Sequence, residues 1–549
     1  MENQRLFLFL ALGAVLFLLW SAWQEDYGKR PIPQSSEPTG APAQSADVAG
    51  KAPTEVREQA GVLEPGKPIR VVTDLFKIEI STLGGDIRSA KLLEHDVSTD
   101  NPAPYTLLRD QGKPLFVAQV GLKAKNGPAP NTRPEFETKK NAYRLAAGEQ
   151  KLVVPLTWRG PNGVTVTRRY IFNRGEYVIH MEQEVRNNSG APWSAYQYVQ
   201  LLRGASAENG GFAQRVTYTG GAIFSPEEKF QKISFDDMRE QPVNRVIKSG
   251  WAAMVQHYFL AAWVPPSGEP QRFYSRVAAT SPEYFILGMS SPWQTIQPGQ
   301  SGKFQSRLYL GPKDQERLAS VAPGLELTVD YGIFTVISRP MFIVLSWIHS
   351  VVGNWGWAII ILTVLIKLVF YKPSEASYRS MARMRKLQPR MQQLKERFGD
   401  DRQRMNQELM DLYKREKVNP LGGCLPIVIQ IPVFIALYWV LLESVELRQA
   451  PFMLWLNDLS APDPYYVLPI IMGLTMLAQQ RLNPLPVDPI QQKIMLFMPI
   501  VFTGFFLFFP AGLVLYYTVN NTLSILQQWL ITRRIEKSET KQIDVKKVV

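Results

Sequence analysis

Cysteine is nearly absent: Cys424 is the single thiol in 549 residues. That excludes an intramolecular disulfide and any cysteine-based zinc cluster. Histidine is almost as scarce. His95, His180, His257 and His349 are scattered singly, so each reads as a structural residue and no metal site is expected. Catalytic signatures are missing as well. There is no P-loop, no H-E-x-x-H, no G-x-S-x-G and no G-x-G-x-x-G in a strand-turn-helix context, and Gly84-Gly85-Asp86 reads as a turn between strands. Neither an enzyme nor a cofactor is expected. Acidic residues are in deficit, with a net charge of +13. The basic residues lie beside hydrophobic segments, which points to anionic lipid and not to sequence-specific binding of nucleic acid.

Arg5 precedes an apolar run ending in Trp20, with Trp23 just beyond. No A-x-A-like cleavage site follows it, so residues 1–26 read as an uncleaved signal anchor in preference to a cleaved leader. Residues 27–60, rich in Pro, Ala, Ser, Gln and Gly, read as a flexible linker. Across 61–330 the pattern is that of strands. Phe76, Ile78 and Ile80 alternate with Lys77 and Glu79, and Tyr177, Ile179 and Met181 repeat that period of two after the turn Asn173–Glu176. Many short runs with Gly/Pro/Asn punctuation predict one large β-sandwich. Asn187-Asn188-Ser189 matches a glycosylation acceptor but reads more simply as a turn.

After residue 330 the chain turns apolar. Residues 331–354 carry Arg339-Pro340 and read as an interfacial helix. Transmembrane helices are expected at 355–372, 421–442, 465–482, 494–509 and 513–531, so that six spans, with the N-terminal anchor, put both termini on one side. Residues 372–417 hold about thirteen Lys/Arg and 532–549 about six. The positive-inside rule makes both cytoplasmic, the first as a helical hairpin (373–420) and the second as a basic tail. The loop 443–464, with Arg448 as its sole cation, falls outside. Several spans are short for a hydrocarbon core of roughly 30 Å.

Polar residues recur inside these spans: Thr363, Lys367, Gln430, Asn520, Asn521, Ser524 and Gln527. A cation at bilayer depth is costly unless partnered, hydrated or drawn to the interface. Lys367 lies about one turn from Lys372, so it either snorkels to the headgroups or belongs to a cavity lined by amides and hydroxyls. The same polar groups would also serve as interhelical hydrogen bonds. No carboxylate lies within the five spans to pair with Lys367. The methionine-rich stripe of the hairpin, from Met381 to Phe398, is either core or an adaptable greasy surface, and Pro389 is expected to kink its first arm.

The runs Trp347–Ser350, Gly353–Gly356, Gln388-Pro389, Val418–Pro426, Ser444–Pro451, Asp463–Tyr466, Asp488-Pro489 and Gly512–Tyr517 resemble the YidC/Oxa/Alb family of membrane protein insertases, in its Gram-negative form with a large periplasmic domain. The resemblance implies a supersandwich periplasmic domain and a bacterial inner-membrane bundle holding a hydrophilic groove open to cytoplasm and lipid. It implies a groove cation, here Lys367 where the family usually has arginine, and groove positions at Thr363 and Tyr517. The family's Tyr-Pro is altered to Tyr371-Lys372-Pro373. An apolar slide would comprise Pro426, Ile427, Ile431, Phe434, Leu437, Phe505, Phe506 and Phe509. Implied partners are nascent membrane proteins, the Sec translocon, and the ribosome through the hairpin and tail. A small-anion transporter using the same polar cluster is the alternative; it predicts inverted repeats, which the sequence does not display.

Overall fold

The computed structural model describes residues 66–125, 133–160, 162–205, 217–278, 281, 283–398, 401–416, 418, 425–483 and 489–548. The expected anchor (1–26) and linker (27–60) lie outside the described residues. The chain divides at Val329/Asp330 into two units.

The first unit is built from two sheets. Alternation sets which face each strand buries: Phe76, Ile78 and Ile80 are buried while Lys77 is exposed. The larger sheet runs Asn244–Lys248, Pro270–Val277, Tyr284–Ser290, Trp193–Gly204, Phe116–Ala124, Ile87–Ser98, Phe76–Ser81, Pro68–Val72, Ala142–Arg144, with Gln294–Ile296 and Asn101–Leu108 paired off this path. The second runs Lys229–Ile233, Gly220–Ser225, Trp251–Val255, Phe259–Val264, Ser301–Pro312, Val178–Asn187, Val164–Asn173, Lys151–Arg159. Neighbouring strands pair antiparallel, except that Pro68–Val72 and Ala142–Arg144 pair parallel. Two short helices, α1 (Phe235–Glu240) and α2 (Gln315–Val321), complete this unit. Buried Arg168 ties the sheets together, donating to Gln183 Oε1 at 2.8 Å and to Gly84 O at 2.7 Å. That contact explains Gly84-Gly85: both have φ near +70°, which glycine adopts without strain, and a Cβ on Gly85 would meet the Arg168 guanidinium. Asn187 ends its strand and organises the following turn, its amide donating to Ala191 O and Ile296 O.

The second unit is helical: α3 (Thr335–Val352), α4 (Trp355–Val369), α5 (Tyr371–Phe398), α6 (Arg402–Arg415), α7 (Leu425–Glu443), α8 (Val467–Leu482), α9 (Pro489–Phe506) and α10 (Ala511–Val548). Asn354 caps α4 through Trp357 N, and left-handed Gly353 stops α3. Helices α4 and α5 meet at a 68° bend. Helix α3 packs on α4 and α7, while α10 packs on α4, α5, α7 and α8.

Three boundaries differ from expectation. Helix α4 closes at Val369, and Tyr371 already belongs to α5, so the hairpin's first arm starts beside the apolar run. Pro389, where a kink is expected, lies inside α5. Helix α9 begins at Pro489, five residues before the expected span, because proline is pre-organised for a first helical position. The basic tail is no separate segment. Helix α10 continues to Val548, since 513–548 contain neither glycine nor proline to end it. Among the described residues, Gly332–Val352 is the helix that by itself is long and apolar enough to cross a bilayer; Gln430–Glu443, Val467–Leu482 and Gln492–Phe506 are shorter apolar stretches.

Candidate functional site

Helix α10 organises the site because its polar residues face inward among apolar helices. Asn520, Asn521, Ser524, Gln527 and Gln528 are all buried, at spacings that place them along one side of the helix. Each finds a partner. Lys367, near the end of α4, donates from Nζ to Ser524 Oγ at 2.7 Å, and Ser524 in turn donates to Asn520 O at 2.7 Å. Gln430 of α7 donates to Asn520 Oδ1. Asn521 reaches Thr475 of α8 at 3.4 Å. Gln527 reaches the carbonyl of Tyr371 at 3.4 Å, and Gln528 donates to Leu482 O and Asn483 Oδ1, each at 3.2 Å. Thr363 is buried, but its hydroxyl donates back to Ile359 O at 2.7 Å, so it adds a small polar surface and no cross-helix bond.

The ammonium of Lys367 therefore points at α10, on the same side as the amides. Among the described residues no carboxylate lies within ion-pair distance of it, and the Ser524 hydroxyl is the group that receives its Nζ. Such a site holds one positive charge, half-buried, beside several groups able both to donate and to accept.

An aromatic layer adjoins this polar column. Tyr517 stands edge-on to Phe434 with ring centres 5.2 Å apart, and meets Phe506 also at 5.2 Å. Phe506 contacts Phe509 at 5.1 Å, and Phe505 contacts Phe509 at 4.6 Å. The structure divides the expected slide residues. Phe505 and Ile431 are exposed and Phe434 is half-buried, whereas Leu437, Phe506 and Phe509 are buried in the bundle. The side chains of Pro426 and Ile427 lie outside the described residues.

Several participants were not anticipated. Ser374, Ser377 and Tyr378 of α5 are buried, and Tyr378 lies against Ser524. Burial raises the Tyr378 phenol above its ordinary pKa and the Ser524 hydrogen bond opposes that. Their i, i+3, i+4 spacing at the start of a basic helix was the available signal. Thr475 gave no signal, because a single threonine in an apolar helix is commonplace. Glu443 and Asp463 are also buried; both stand just outside the predicted spans, in the loop that the sequence places on the outer side.

The two expected arms of the hairpin, α5 and α6, pack through Leu387, Met391, Leu409 and Val418, flanked by Met384, Leu394, Met405, Leu412 and Tyr413. The methionine stripe is thus core here.

The chain thus joins a two-sheet β-domain to an apolar helical unit that turns one lysine toward the polar side of α10. A family profile described as "YidC periplasmic domain" matches residues 68–344, and one described as "60Kd inner membrane protein" matches 347–539. A protein of Alkalilimnicola ehrlichii named "Membrane protein insertase YidC" is 52% identical over 546 residues, covering 98% of this chain and 97% of its own. One of the same name from Thioalkalivibrio sulfidiphilus is 51% identical over 560 residues, covering 98% and 100%. Among solved structures, "Active YidC insertase crystal structure with the first transmembrane domain resolved" aligns over 85% of this chain and 93% of its own, with 15% identity and a TM-score of 0.39. The chain belongs to the YidC family of membrane protein insertases.

Proposed function

We propose that this protein inserts nascent proteins into the bacterial inner membrane and assists their folding, using the polar column around Lys367 as a transient site for the hydrophilic segment that must cross. The observation that carries this reading is the inward-turned ammonium of Lys367, bonded to Ser524 and without a carboxylate among the described residues. A fixed counter-ion would neutralise the site. Its lack leaves an attraction for acidic segments of a guest.

In this reading α4, α7, α8, α9 and the first half of α10 span the bilayer with the N-terminal anchor. The short apolar lengths of α8 and α9 locally thin the membrane. The basic α5–α6 hairpin and the end of α10 then face the cytoplasm, where they meet the ribosome and anionic lipid, and the β-domain is periplasmic. Although Gly332–Val352 is long enough to span, a span there would put the basic hairpin outside, against the charge rule. It therefore lies along the interface, with Val336, Ile343, Trp347 and Val351 exposed on one face. Gln430, Asn520 and Asn521 substitute for part of the guest's hydration. Phe434, Ile431 and Phe505 provide the apolar exit to lipid, and burial of the guest helix, at about 25 cal/mol per Å² of apolar surface, drives release without nucleotide. The Sec translocon would hand over guests that it has begun to translocate.

The test is site-specific crosslinking from positions 430, 517 and 505 to a stalled nascent membrane protein. Adducts at all three, lost when the guest's hydrophobic helix is removed, are expected. Adducts absent at 430 and 517 would refute a groove at this place.

A further inference from the structure

The loop between α7 and α8 is turned inside out relative to a loop in water. Its acidic groups face inward. Glu443 at the end of α7 is 2% exposed and Asp463 1%; Asp463 accepts from Trp455 Nε1 at 2.9 Å, Tyr465 N at 3.0 Å and Leu468 N at 2.7 Å. Asp458 is half-buried and accepts from Gln449 N and from Ser460 N and Oγ at 2.7–3.0 Å. Glu446 and Arg448 are half-buried and partnered. The outward side holds no charge. Its exposed members are Pro451, Met453, Leu454, Asn457, Pro462, Pro464, Tyr465 and Tyr466, with Leu454 80% and Tyr465 68% exposed. Leu454 and Tyr466 are held at φ of +56° and +57°, a conformation uncommon for such residues, so outward presentation is built into the backbone.

This loop is rigidly joined to the turn between α9 and α10. Ala511 N donates to Ala461 O at 2.7 Å, Gly512 N donates to Leu459 O at 2.9 Å, and Pro462 bridges Pro510. The joint adds Phe508, 67% exposed, to the same rim.

We infer that residues 451–466, with Phe508, are seated in the outer leaflet of the membrane, where Leu454 and Met453 enter the acyl boundary and Tyr465 and Tyr466 sit at headgroup level. Lipid is favoured over a protein partner on two counts. The rim runs directly into the exposed apolar face of α8 (Ile470, Ile471, Leu474), and Asn457 is its one exposed side chain of purely polar type, where a protein interface carries a polar border. Tyrosine at such a boundary satisfies its apolar ring and its hydroxyl together. The bundle is thereby sealed on its outer side by a rigid lipid-bound cap, while the polar column lies on the other.

The inference rests on the spanning topology proposed above, and the experiment separates the two. Full-length protein carrying Cys424→Ser is given a nitroxide at Leu454→Cys or Tyr465→Cys, with Leu474→Cys as span reference and Asp100→Cys as water reference. It is reconstituted in phosphatidylethanolamine/phosphatidylglycerol vesicles. Collision with oxygen is compared with collision with a water-soluble nickel chelate. At 454 and 465 the oxygen-to-nickel ratio should rank with position 474 and invert relative to position 100. A nickel-dominated signal at 454 and 465, with 474 oxygen-dominated, places the loop in water and overturns the inference alone. A nickel-dominated signal at 474 overturns the spanning topology and the inference with it. Protection of 454 from both reagents means that protein covers it, which also overturns the inference.

Discussion

Replacing Lys367 tests the electrostatic claim most directly. Its Nζ lies 2.7 Å from Ser524 Oγ, and a guest carboxylate taking that hydroxyl's place would form a charge-assisted hydrogen bond. Such bonds are worth about 1.5–3 kcal/mol net. Because Lys367 is only half-buried, the lower part of that range applies, or roughly tenfold in occupancy at about 1.4 kcal/mol per decade. Lys367→Ala should therefore slow translocation of an acidic tail about tenfold while leaving a neutral tail nearly unchanged. Lys367→Glu reverses the sign. Two like charges about 4 Å apart at an effective dielectric of about 20 repel by at most about 4 kcal/mol, so the acidic tail should be blocked more severely than in the alanine variant. Lys367→Arg keeps the charge and should keep activity. The assay is protease protection of the translocated tail in cells, with guests differing only in tail charge. Wild-type translocation of the acidic guest by Lys367→Glu would refute the argument.

Other perturbations follow from the packing. Gly356→Ala would drive a Cβ into the Phe452 ring, an overpacking that should cost about 1–3 kcal/mol and lower the melting temperature in detergent. Asp463→Ala removes the acceptor for Leu468 N and Tyr465 N at the start of α8; a loss of about 1–2 kcal/mol is expected, read by the same melt. Arg168→Met leaves the carbonyl of Gly84 and the amide oxygen of Gln183 unsatisfied between the sheets. The β-domain should lose about 3 kcal/mol or more, seen as faster proteolysis of 66–329. Deleting residues 61–320 should leave insertion of a simple guest intact if the helical unit alone performs it, which growth complementation and tail protection would report.

The division into a strand-rich part and an apolar helical part was legible because periods of two and of 3.6 are local properties. Phe76, Ile78 and Ile80 record the inner face of a strand whatever its partners are. The polar residues of α10 were legible for a related reason: an amide in hydrocarbon is expensive wherever it sits, so Asn520, Asn521, Ser524 and Gln527 announce a partner without saying which. Choosing the partners required distances across helices, and only the fold aims Lys367 at Ser524 and Asn521 at Thr475. The same holds for the phenylalanines. Their sequence does not distinguish Phe505, exposed, from Phe506 one position on, buried against Tyr517, because the difference is a rotation of about 100° about α9 set by its neighbours. Burial of Glu443 and Asp463 could not be read from the sequence, since a charged side chain leaves water only where tertiary hydrogen bonds replace it. Sequence alone determined where apolar, basic and extended segments begin, because those depend on each residue's own transfer energy. Tertiary structure decided which polar groups meet, which face lipid and which lie inside, because those energies exist only between segments brought together.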